Sequence, residues 1–173
     1  GALEASLPAS EAEGLAAAQA ALETAVRLAP EDPWLHLQLA RLLHAKGDWK
    51  GAAQAAMYVV EQVPSAAEGW LLLGLIRAQQ AQFEGALEAF QQVVRQDPRN
   101  VWAQHNLAQT LVKLGRTNQA LHAFQRLLAQ RPAFGPGWLG LGMLLETMGR
   151  SEEVQPCFEK ALKYRIRRAG DLT

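Results

Sequence analysis

Four prolines recur at one fixed interval, and this interval constrains the fold more than any other feature of the sequence. Pro30, Pro64, Pro98 and Pro132 stand 34 residues apart, with no insertion between them. A proline cannot continue a helix, and it biases the residue before it toward an extended conformation. A fixed period of this length is typical of a chain that repeats one small supersecondary unit. We therefore expect a repeat protein in which the prolines separate successive units.

The segments between these prolines have the composition of helices. Ala, Leu, Gln and Glu dominate them, β-branched residues are sparse, and apolar residues recur every three or four positions. Gly47, Gly115 and Gly149 share one position of the period, which Ala81 takes in the second repeat. Glycine freely adopts the left-handed conformation that ends many helices, so we expect a turn here and a differently formed turn at Ala81. Each repeat is then a helix of about 14 residues, a turn, a second helix and a proline.

Small and aromatic residues hold further fixed positions of the period. Small side chains let two helices approach to about 8 to 10 Å, and we expect the phenylalanines to fill the space between helix pairs. The small residues are Ala40, Gly74, Ala108 and Gly142 on the first helices and Ala52, Ala86 and Ala120 on the second; the phenylalanines are Phe90, Phe124 and Phe158. A larger group at Gly74 or Ala86 should lower stability by about 1 to 3 kcal/mol through overpacking.

This pattern resembles the tetratricopeptide repeat family. The resemblance is carried by Trp70-Leu73-Gly74, Ala86, Phe90 and Pro98 in the second repeat, by Leu107-Ala108, Gly115, Ala120, Phe124 and Pro132 in the third, and by Trp138-Leu141-Gly142, Gly149 and Phe158 in the fourth. It implies an all-α fold, a right-handed α-solenoid superhelix of antiparallel helix pairs. One solenoid domain would contain a partial repeat at 1–32 with a helix at about 10–29, four full repeats at 33–66, 67–100, 101–134 and 135–168, and a tail at 169–173.

The two ends of the chain depart from the period. Ser10 and Glu13 form a capping-box pattern before a helix of the second type, whose partner helix is truncated at Leu3 and Leu7. Pro156 stands near the start of the last helix, and no polar capping helix follows. Terminal repeats normally need a polar cap, so we expect either a fragment of a longer protein or ends that another copy covers.

The resemblance also implies where a partner would bind. In the family, the first helix of every repeat lines the concave face, and the second, fifth, ninth, twelfth and thirteenth positions of each repeat tend to face this groove. The candidate partner-binding residues are Trp34, Leu37, Arg41, His44, Leu71, Leu75, Trp102, His105, Gln109, Lys113, Leu139 and Met143, and the same positions hold Ala45, Glu68, Ala78, Gln79, Val112, Pro136, Glu146 and Thr147. These residue types predict an apolar groove with a few polar groups.

Two tryptophans stand away from the family's usual structural position. Trp70 and Trp138 hold that position, whereas Trp34 and Trp102 come two residues earlier in their repeats. One interpretation is that Trp34 and Trp102 anchor a bound peptide or helix, because aromatic residues dominate binding hot spots. The other is that each packs on the preceding helix pair, because aromatic residues at helical spacing commonly belong to a core. The sequence leaves both interpretations open.

A subset of the family grips the C-terminal carboxylate of chaperone tails with a lysine and an asparagine. Here the lysine position holds Leu37, Leu71, His105 and Leu139, and the asparagine position holds Arg41, Leu75, Gln109 and Met143. We therefore do not expect such a clamp. An apolar groove suits an amphipathic helix or an extended hydrophobic segment, with Arg41 and Lys113 attracting its charges. As an open groove residue, His105 should be replaceable by alanine with weaker binding and unchanged melting.

Four other features have simpler interpretations. The stretch "GPGWLG" at 135–140 matches the dinucleotide fingerprint, but a helix and a proline precede it instead of a strand, so we regard the match as coincidence. The four histidines have no metal-ligand spacing, and we expect no metal and no cofactor. Cys157 should be an inert, packed thiol. The basic residues Lys160, Lys163, Arg165, Arg167 and Arg168 fit a solvated helix end that suits the helix dipole, with contact to nucleic acid or anionic lipid as the alternative.

Charge and hydropathy limit the classes of partner. Seventeen basic side chains balance seventeen acidic ones, so no global field attracts nucleic acid or an anionic membrane. No apolar stretch approaches the roughly 20 residues that span a bilayer. The single cysteine cannot form an internal disulfide, which favours the cytoplasm and leaves the periplasm open. The alanine-rich composition would suit a bacterial source.

The sequence therefore predicts a non-enzymatic interaction module that holds a peptide or helical segment of a protein partner in its concave groove. A preformed surface of this kind binds with little ordering cost on the scaffold side. Two alternatives stay open. The chain could be the recruitment domain of a larger enzyme, such as a bacterial transferase, or a module that self-assembles through its uncapped ends.

Overall fold

The computed structural model describes residues 9–165, and all regular secondary structure in this range is helical. The helices are α1 (Ala9–Leu28), α2 (Pro33–Lys46), α3 (Trp49–Gln62), α4 (Ala67–Gln79), α5 (Phe83–Gln96), α6 (Val101–Lys113), α7 (Thr117–Gln130), α8 (Gly135–Thr147) and α9 (Ser151–Lys163). Short turns join them, so consecutive helices form antiparallel pairs. The predicted fold class, an all-α solenoid of helix pairs, is confirmed.

The chain divides into two compact units, which we call unit 1 and unit 2, at the junction of Gln82 and Phe83. In unit 1, α2 packs on α1 and α3, and α3 packs on α4. In unit 2, α6 packs on α5 and α7, and α8 packs on α7 and α9. Contacts also join α2 to α4 and α6 to α8. Within each unit, the first helices of two successive repeats therefore lie side by side and can share one binding face.

Each unit has its own apolar core, built from the positions that repeat. The small residues at these positions have no exposed surface: Ala40, Ala52, Ala86, Ala108 and Ala120. Phe90 and Phe124 are also buried, as predicted, whereas Phe158 of α9 is only partly buried. The ring of Phe158 nevertheless lies against Gly142, where an added Cβ would come within 2.7 Å of it. The two helices of that pair approach closely because Gly142 has no side chain.

The four turns between first and second helices have one geometry. Gly47, Gly115 and Gly149 have φ angles of 80°, 69° and 73°, and Ala81 follows them with a φ of 56°. In the second turn the N–H of Ala81 donates to the carbonyl of Ala78, the same three-residue step that Gly47 makes to His44. The expectation of a differently formed turn at Ala81 is therefore wrong. Alanine adopts the left-handed conformation there, although its Cβ makes this conformation costly.

Polar side chains accept hydrogen bonds from backbone amides at the starts of several helices, such as α2 and α6. Asp32 and Asn100 accept hydrogen bonds from Trp34 N (2.9 Å) and Ala103 N (3.0 Å), and so satisfy amides at the starts of α2 and α6. Ser10 lies inside α1, so the capping-box interpretation of Ser10 and Glu13 is wrong. The expected helix partner at Leu3 and Leu7 lies outside the described residues.

Candidate binding surface

A side chain at the same position of every repeat reaches back to the carbonyl of the proline six residues earlier. Trp70 and Trp138 do so through the indole N–H, which explains why tryptophan suits this position. The other two repeats use His36 and Gln104 instead. The four pairs are His36 Nε2 to Pro30 O (2.8 Å), Trp70 Nε1 to Pro64 O (2.9 Å), Gln104 Nε2 to Pro98 O, and Trp138 Nε1 to Pro132 O (2.7 Å). Trp34 and Trp102 are thus not needed for this contact.

Trp34 and Trp102 both have large exposed fractions. Trp34, on the first turn of α2, is 62% exposed. Trp102, on the first turn of α6, is 47% exposed, and its ring makes an edge contact with Phe134 at a centroid distance of 5.1 Å. Among the described residues, Trp102 thus packs on the turn that precedes α8, and not on the preceding helix pair, while about half of its surface stays exposed. No ring contact holds Trp34 among the residues the structure describes.

In unit 1, the candidate groove residues lie on α2 and α4, and most are partly buried. Leu37, Leu71 and Leu75 expose part of their side chains, and the ring of His44 makes an edge contact with Trp49 of α3. Arg41 of α2 forms an ion pair with Glu68 of α4, and both side chains are about half exposed. Arg41 was expected to attract charges on a partner. Its guanidinium is instead engaged by the neighbouring helix.

In unit 2, the faces of α6 and α8 form a cleft of about 350 Å³, which we call the α6/α8 cleft. Six of the positions predicted to face the groove line it: Gln109, Val112, Lys113, Met143, Glu146 and Thr147. Phe124, Gly140 and Leu144 complete the lining. Leu139 and Met143 are 48% and 56% exposed, which is unusual for large apolar side chains. Six of the ten predicted groove positions of the third and fourth repeats thus line one cleft, whereas Trp102, His105, Pro136 and Leu139 do not.

Gly140 was not among the predicted groove residues, yet it shapes the cleft. An added Cβ would lie 2.7 Å from the ring of Phe124, which also lines the cleft. The missing side chain lets this aromatic ring of α7 come up against α8. The only sequence signal for such a site was Phe124, which the period had assigned to packing between helix pairs.

His105 lies deeper than the groove assignment expected. It is 6% exposed, and its ring lies 5.5 Å from that of Phe134 and 6.0 Å from that of Phe124, measured between centroids. Its Nδ1 has no hydrogen-bond partner among the described residues. Burial lowers the pKa of His105 below its ordinary value of 6.5, because the charged form loses its hydration. The structure contradicts the open-groove assignment of His105, whose imidazole packs beneath Trp102. We therefore expect His105→Ala to lower the melting temperature instead of leaving it unchanged.

The remaining sequence features have structural roles. The "GPGWLG" stretch forms the start of α8 after the helix α7, a context without the strand that the dinucleotide fingerprint requires. Cys157 is buried, and burial raises the pKa of its thiol while the nearby Lys160 opposes the rise. No group of three or more potential metal ligands occurs in residues 9–165. Over the same range, no helix is both long and apolar enough to cross a membrane.

Part of the basic C-terminal cluster is engaged with aromatic rings. The Lys160 ammonium lies 4.1 Å from the centroid of the Trp138 ring, and Lys163 lies 5.1 Å from that of Tyr164. Arg167 and Arg168 lie outside the described residues. Lys160 and Lys163 therefore have local contacts in addition to solvent, whereas Arg165 is exposed.

Family models agree with this geometry. One tetratricopeptide repeat model matches residues 10–76 and 77–141, and a second matches residues 136–165. The chain belongs to the tetratricopeptide repeat family. No curated protein sequence matches the chain.

Several solved structures share the fold. The crystal structure of MamA has a TM-score of 0.83 at 20% identity, over 89% of this chain and 91% of that one. MamA residues 41 to end from Desulfovibrio magneticus RS-1 have a TM-score of 0.82 at 19% identity, over 87% and 85%. YrrB, described as a TPR protein with an unusual peptide-binding site, has a TM-score of 0.77 at 18% identity, over 90% and 80%. At these identities the likeness shows the fold alone.

Proposed function

We propose that this chain is a non-catalytic protein-interaction scaffold that binds a peptide or helical segment of a partner protein against the faces of its first helices. The observation that carries the proposal is the α6/α8 cleft, a cavity of about 350 Å³ whose lining includes the exposed apolar side chains of Val112 and Met143. Membership of the repeat family supports it, as does the fold shared with YrrB, whose description includes a peptide-binding site. Of the twelve candidate residues, all except the buried His105 remain the proposed contact set.

The lining of the cleft favours an amphipathic segment with an acidic group. An apolar side chain of the segment would pack on Val112 and Met143, the exposed apolar residues that line the cleft. Lys113 is exposed and forms no ion pair within the described range, so it would attract a carboxylate on the segment, and the exposed Glu146 of the same lining would attract a cation. Arg41, by contrast, is already paired with Glu68. In the helix-in-groove mode of recognition, an amphipathic helix places its apolar anchors in a groove of this kind.

A peptide-display selection against the whole chain tests the proposal. We expect the selected peptides to share apolar residues at helical spacing with an acidic residue beside them. Met143→Glu should weaken their binding by about tenfold or more, because it places a carboxylate on the apolar contact. Met57→Glu is the matched control: Met57 is also an exposed methionine, but it lies on α3 of unit 1 and is not one of the residues that line the cleft.

The two variants separate the possible outcomes. Loss of binding in Met143→Glu alone would support the α6/α8 cleft as the site. Equal binding by both variants and the wild type would place the site elsewhere and overturn the proposal for this surface. Both variants should melt at the wild-type temperature, because each replaces an exposed side chain.

Self-association is the second candidate, and one observation favours it. Leu162 is 65% exposed on α9, and a second copy could cover it. Light scattering over a range of concentrations would then show a mass that rises with concentration in the wild type and not in Leu162→Glu. A constant monomer mass at high concentration would exclude this candidate.

A further inference from the structure

The charged residues that line the α6/α8 cleft both lie at one end of it. Helices α6 and α8 run parallel, because α7 is antiparallel to both. Lys113 is the last residue of α6, and Glu146 and Thr147 are the last two residues of α8. The exposed side chain of Met143 lies one turn earlier on α8, and that of Leu139 lies one turn before it, beyond the cleft lining. This surface thus has a charged end and an apolar end.

The charges at this end are not neutralised within the described part of the chain. Lys113 and Glu146 are both exposed, and neither forms an ion pair with the other or with any other described residue. Both helices also end here, and the C-terminus of a helix carries a partial negative charge. A partner would match these charges if it placed a positive charge near Glu146 and the helix ends, and a negative charge near Lys113.

The polar groups of the cleft favour a helix over an extended segment. An extended segment would need hydrogen-bond partners for the backbone N–H and C=O groups that it buries. The uncharged polar side chains of the lining are those of Gln109 and Thr147, and the Thr147 hydroxyl already donates to Leu144 O at 2.7 Å. A helix satisfies its backbone groups internally and needs to place only side chains in the cleft.

The first turn of a helix carries the charges that this end of the cleft would match. Its free N–H groups form the positive end of the helix dipole, and acidic side chains are favoured among them. If a bound helix began at the ends of α6 and α8, its dipole would face Glu146 and a first-turn carboxylate could reach Lys113. In the opposite direction, three negative helix ends would meet beside Glu146.

We propose that the α6/α8 cleft binds a helix that runs antiparallel to α6 and α8, with an acidic residue in its first turn and apolar residues one and two turns later. The inference rests on the proposed function, since it names the class of segment that the same cleft takes. The acidic residue would pair with Lys113. The two apolar residues would pack on Met143 and Leu139, because these exposed side chains are also one turn apart.

Two alanine-based peptides of about 16 residues, identical in composition and blocked at both ends, test the charge pattern. In the acid-first peptide a glutamate precedes two leucines by one turn and two turns; in the acid-last peptide it follows them at the same spacings. Calorimetry with the whole chain should show that the acid-first peptide binds about three- to tenfold more tightly.

Charge reversal identifies the residue that reads this pattern. Lys113→Glu should remove the preference for the acid-first peptide, and replacing the glutamate of that peptide by lysine should restore its binding to this variant. Lys50→Glu is the matched control, because Lys50 is also an exposed lysine but lies on α3 of unit 1. Equal weakening by the two variants would assign the effect to net charge and overturn the inference.

Paramagnetic broadening of NMR signals determines the direction of the helix independently of affinity. Gly137 and Thr147 lie about 15 Å apart along α8, at a rise of about 1.5 Å per residue. A spin label at the N-terminus of the acid-first peptide should broaden the Thr147 amide more than the Gly137 amide, and a label at the C-terminus should do the reverse.

The outcomes separate this inference from the proposed function. The opposite pattern of broadening, or equal affinity of the two peptides, would overturn the inference and leave the proposed function standing. The same holds if neither designed peptide binds while peptides from the display selection bind and lose affinity in Met143→Glu. If the selection yields no binding peptide, the proposed function fails and this inference fails with it.

Discussion

The imidazole of His105 carries a polar nitrogen into an aromatic environment. Nδ1 has no partner among the described residues, and the rings of Phe124 and Phe134 lie within 6.0 Å of the imidazole, measured between centroids. Placing a charge there removes its hydration without a compensating carboxylate. Burial therefore favours the neutral form of His105 in the folded protein.

This burial predicts a dependence of stability on pH. The unfolded chain takes up the His105 proton near the ordinary pKa of 6.5, and the folded chain takes it up only at lower pH. The contribution of His105 to stability is thus complete above 6.5 and is lost progressively as the pH falls below that value. We expect denaturant titrations to show a falling free energy of unfolding between about pH 7 and 5.

His105→Gln should reduce this slope, because glutamine does not titrate. His122→Gln is the control, since His122 is exposed on α7. Equal slopes in the wild type and in both variants would contradict the burial of His105 as the cause.

For a single residue, the period of the sequence predicts the helix face on which the side chain lies, but not how deeply the side chain is buried. The groove rule places Trp102 and His105 together on α6, three residues apart. The structure leaves Trp102 half exposed and buries His105, because Phe134 in the turn before α8 packs against both rings. Phe134 does not hold any of the repeated positions identified in the sequence, so the period could not predict this contact.

At the level of the helices and turns, the turn between α4 and α5 contains local backbone strain. Ala81 has a φ of 56°, where its Cβ approaches the following carbonyl. Ala81→Gly should raise the free energy of unfolding by about 1 kcal/mol, because glycine adopts this conformation without the clash. Chemical denaturation of the variant and the wild type measures the difference.

The equivalent turn at Gly115 provides the reverse substitution. Gly115 has a φ of 69°, and an added Cβ would meet nothing within 4 Å. Gly115→Ala should therefore lower stability by about 1 kcal/mol through the backbone alone. If Ala81→Gly left stability unchanged while Gly115→Ala lowered it, another contact would be compensating the strain at Ala81.

Helix α9 contains a second local defect. Pro156 lies inside α9, where its missing N–H removes a backbone hydrogen bond and its ring crowds the preceding turn. Its side chain is exposed, so the substitution Pro156→Ala removes the defect without opening a core cavity. We expect the melting temperature and the protection of α9 amides from hydrogen exchange to rise; unchanged exchange would show that α9 accommodates the proline at little cost.

The elements themselves follow from local chemistry, which is why the sequence predicts them well. First helices begin at Pro33, Ala67, Val101 and Gly135, each three residues after a proline of the 34-residue period. The exception is instructive. Ser10 resembles a helix cap but lies inside α1, because a capping pattern is a local preference that neighbouring helix formers can override.

For the whole molecule, apolar packing rather than charge should determine stability. The net charge is zero, and the ion pairs, such as Arg116 with Glu84 and Arg150 with Glu153, lie on the surface. Exposed pairs contribute about 0 to 1 kcal/mol each and weaken in salt. The free energy of unfolding should therefore change by no more than about 1 kcal/mol between low and high salt. Denaturation curves at two salt concentrations check this, and a larger loss would mean that these pairs act as a network.

The period of the sequence predicts only part of the α6/α8 cleft. Six of its lining residues came from the groove rule, because α6 and α8 repeat the same helix face side by side. The groove rule did not predict Gly140 and Phe124, which also line the cleft, because glycine has no side chain and Phe124 lies on the second helix α7. A repeat fixes equivalent positions, whereas a site depends on the differences between repeats.

The hydrogen bond from a side chain to the carbonyl of the proline six residues earlier affects how whole repeats can be gained or lost. Donor and acceptor lie on opposite sides of every repeat junction, as Trp70 and Pro64 do. A gain or loss of 34 codons at any junction therefore joins some donor to some proline at the same six-residue separation. Tryptophan, histidine and glutamine all serve as the donor here, so recombination between unlike repeats restores a bonded junction without a compensating mutation.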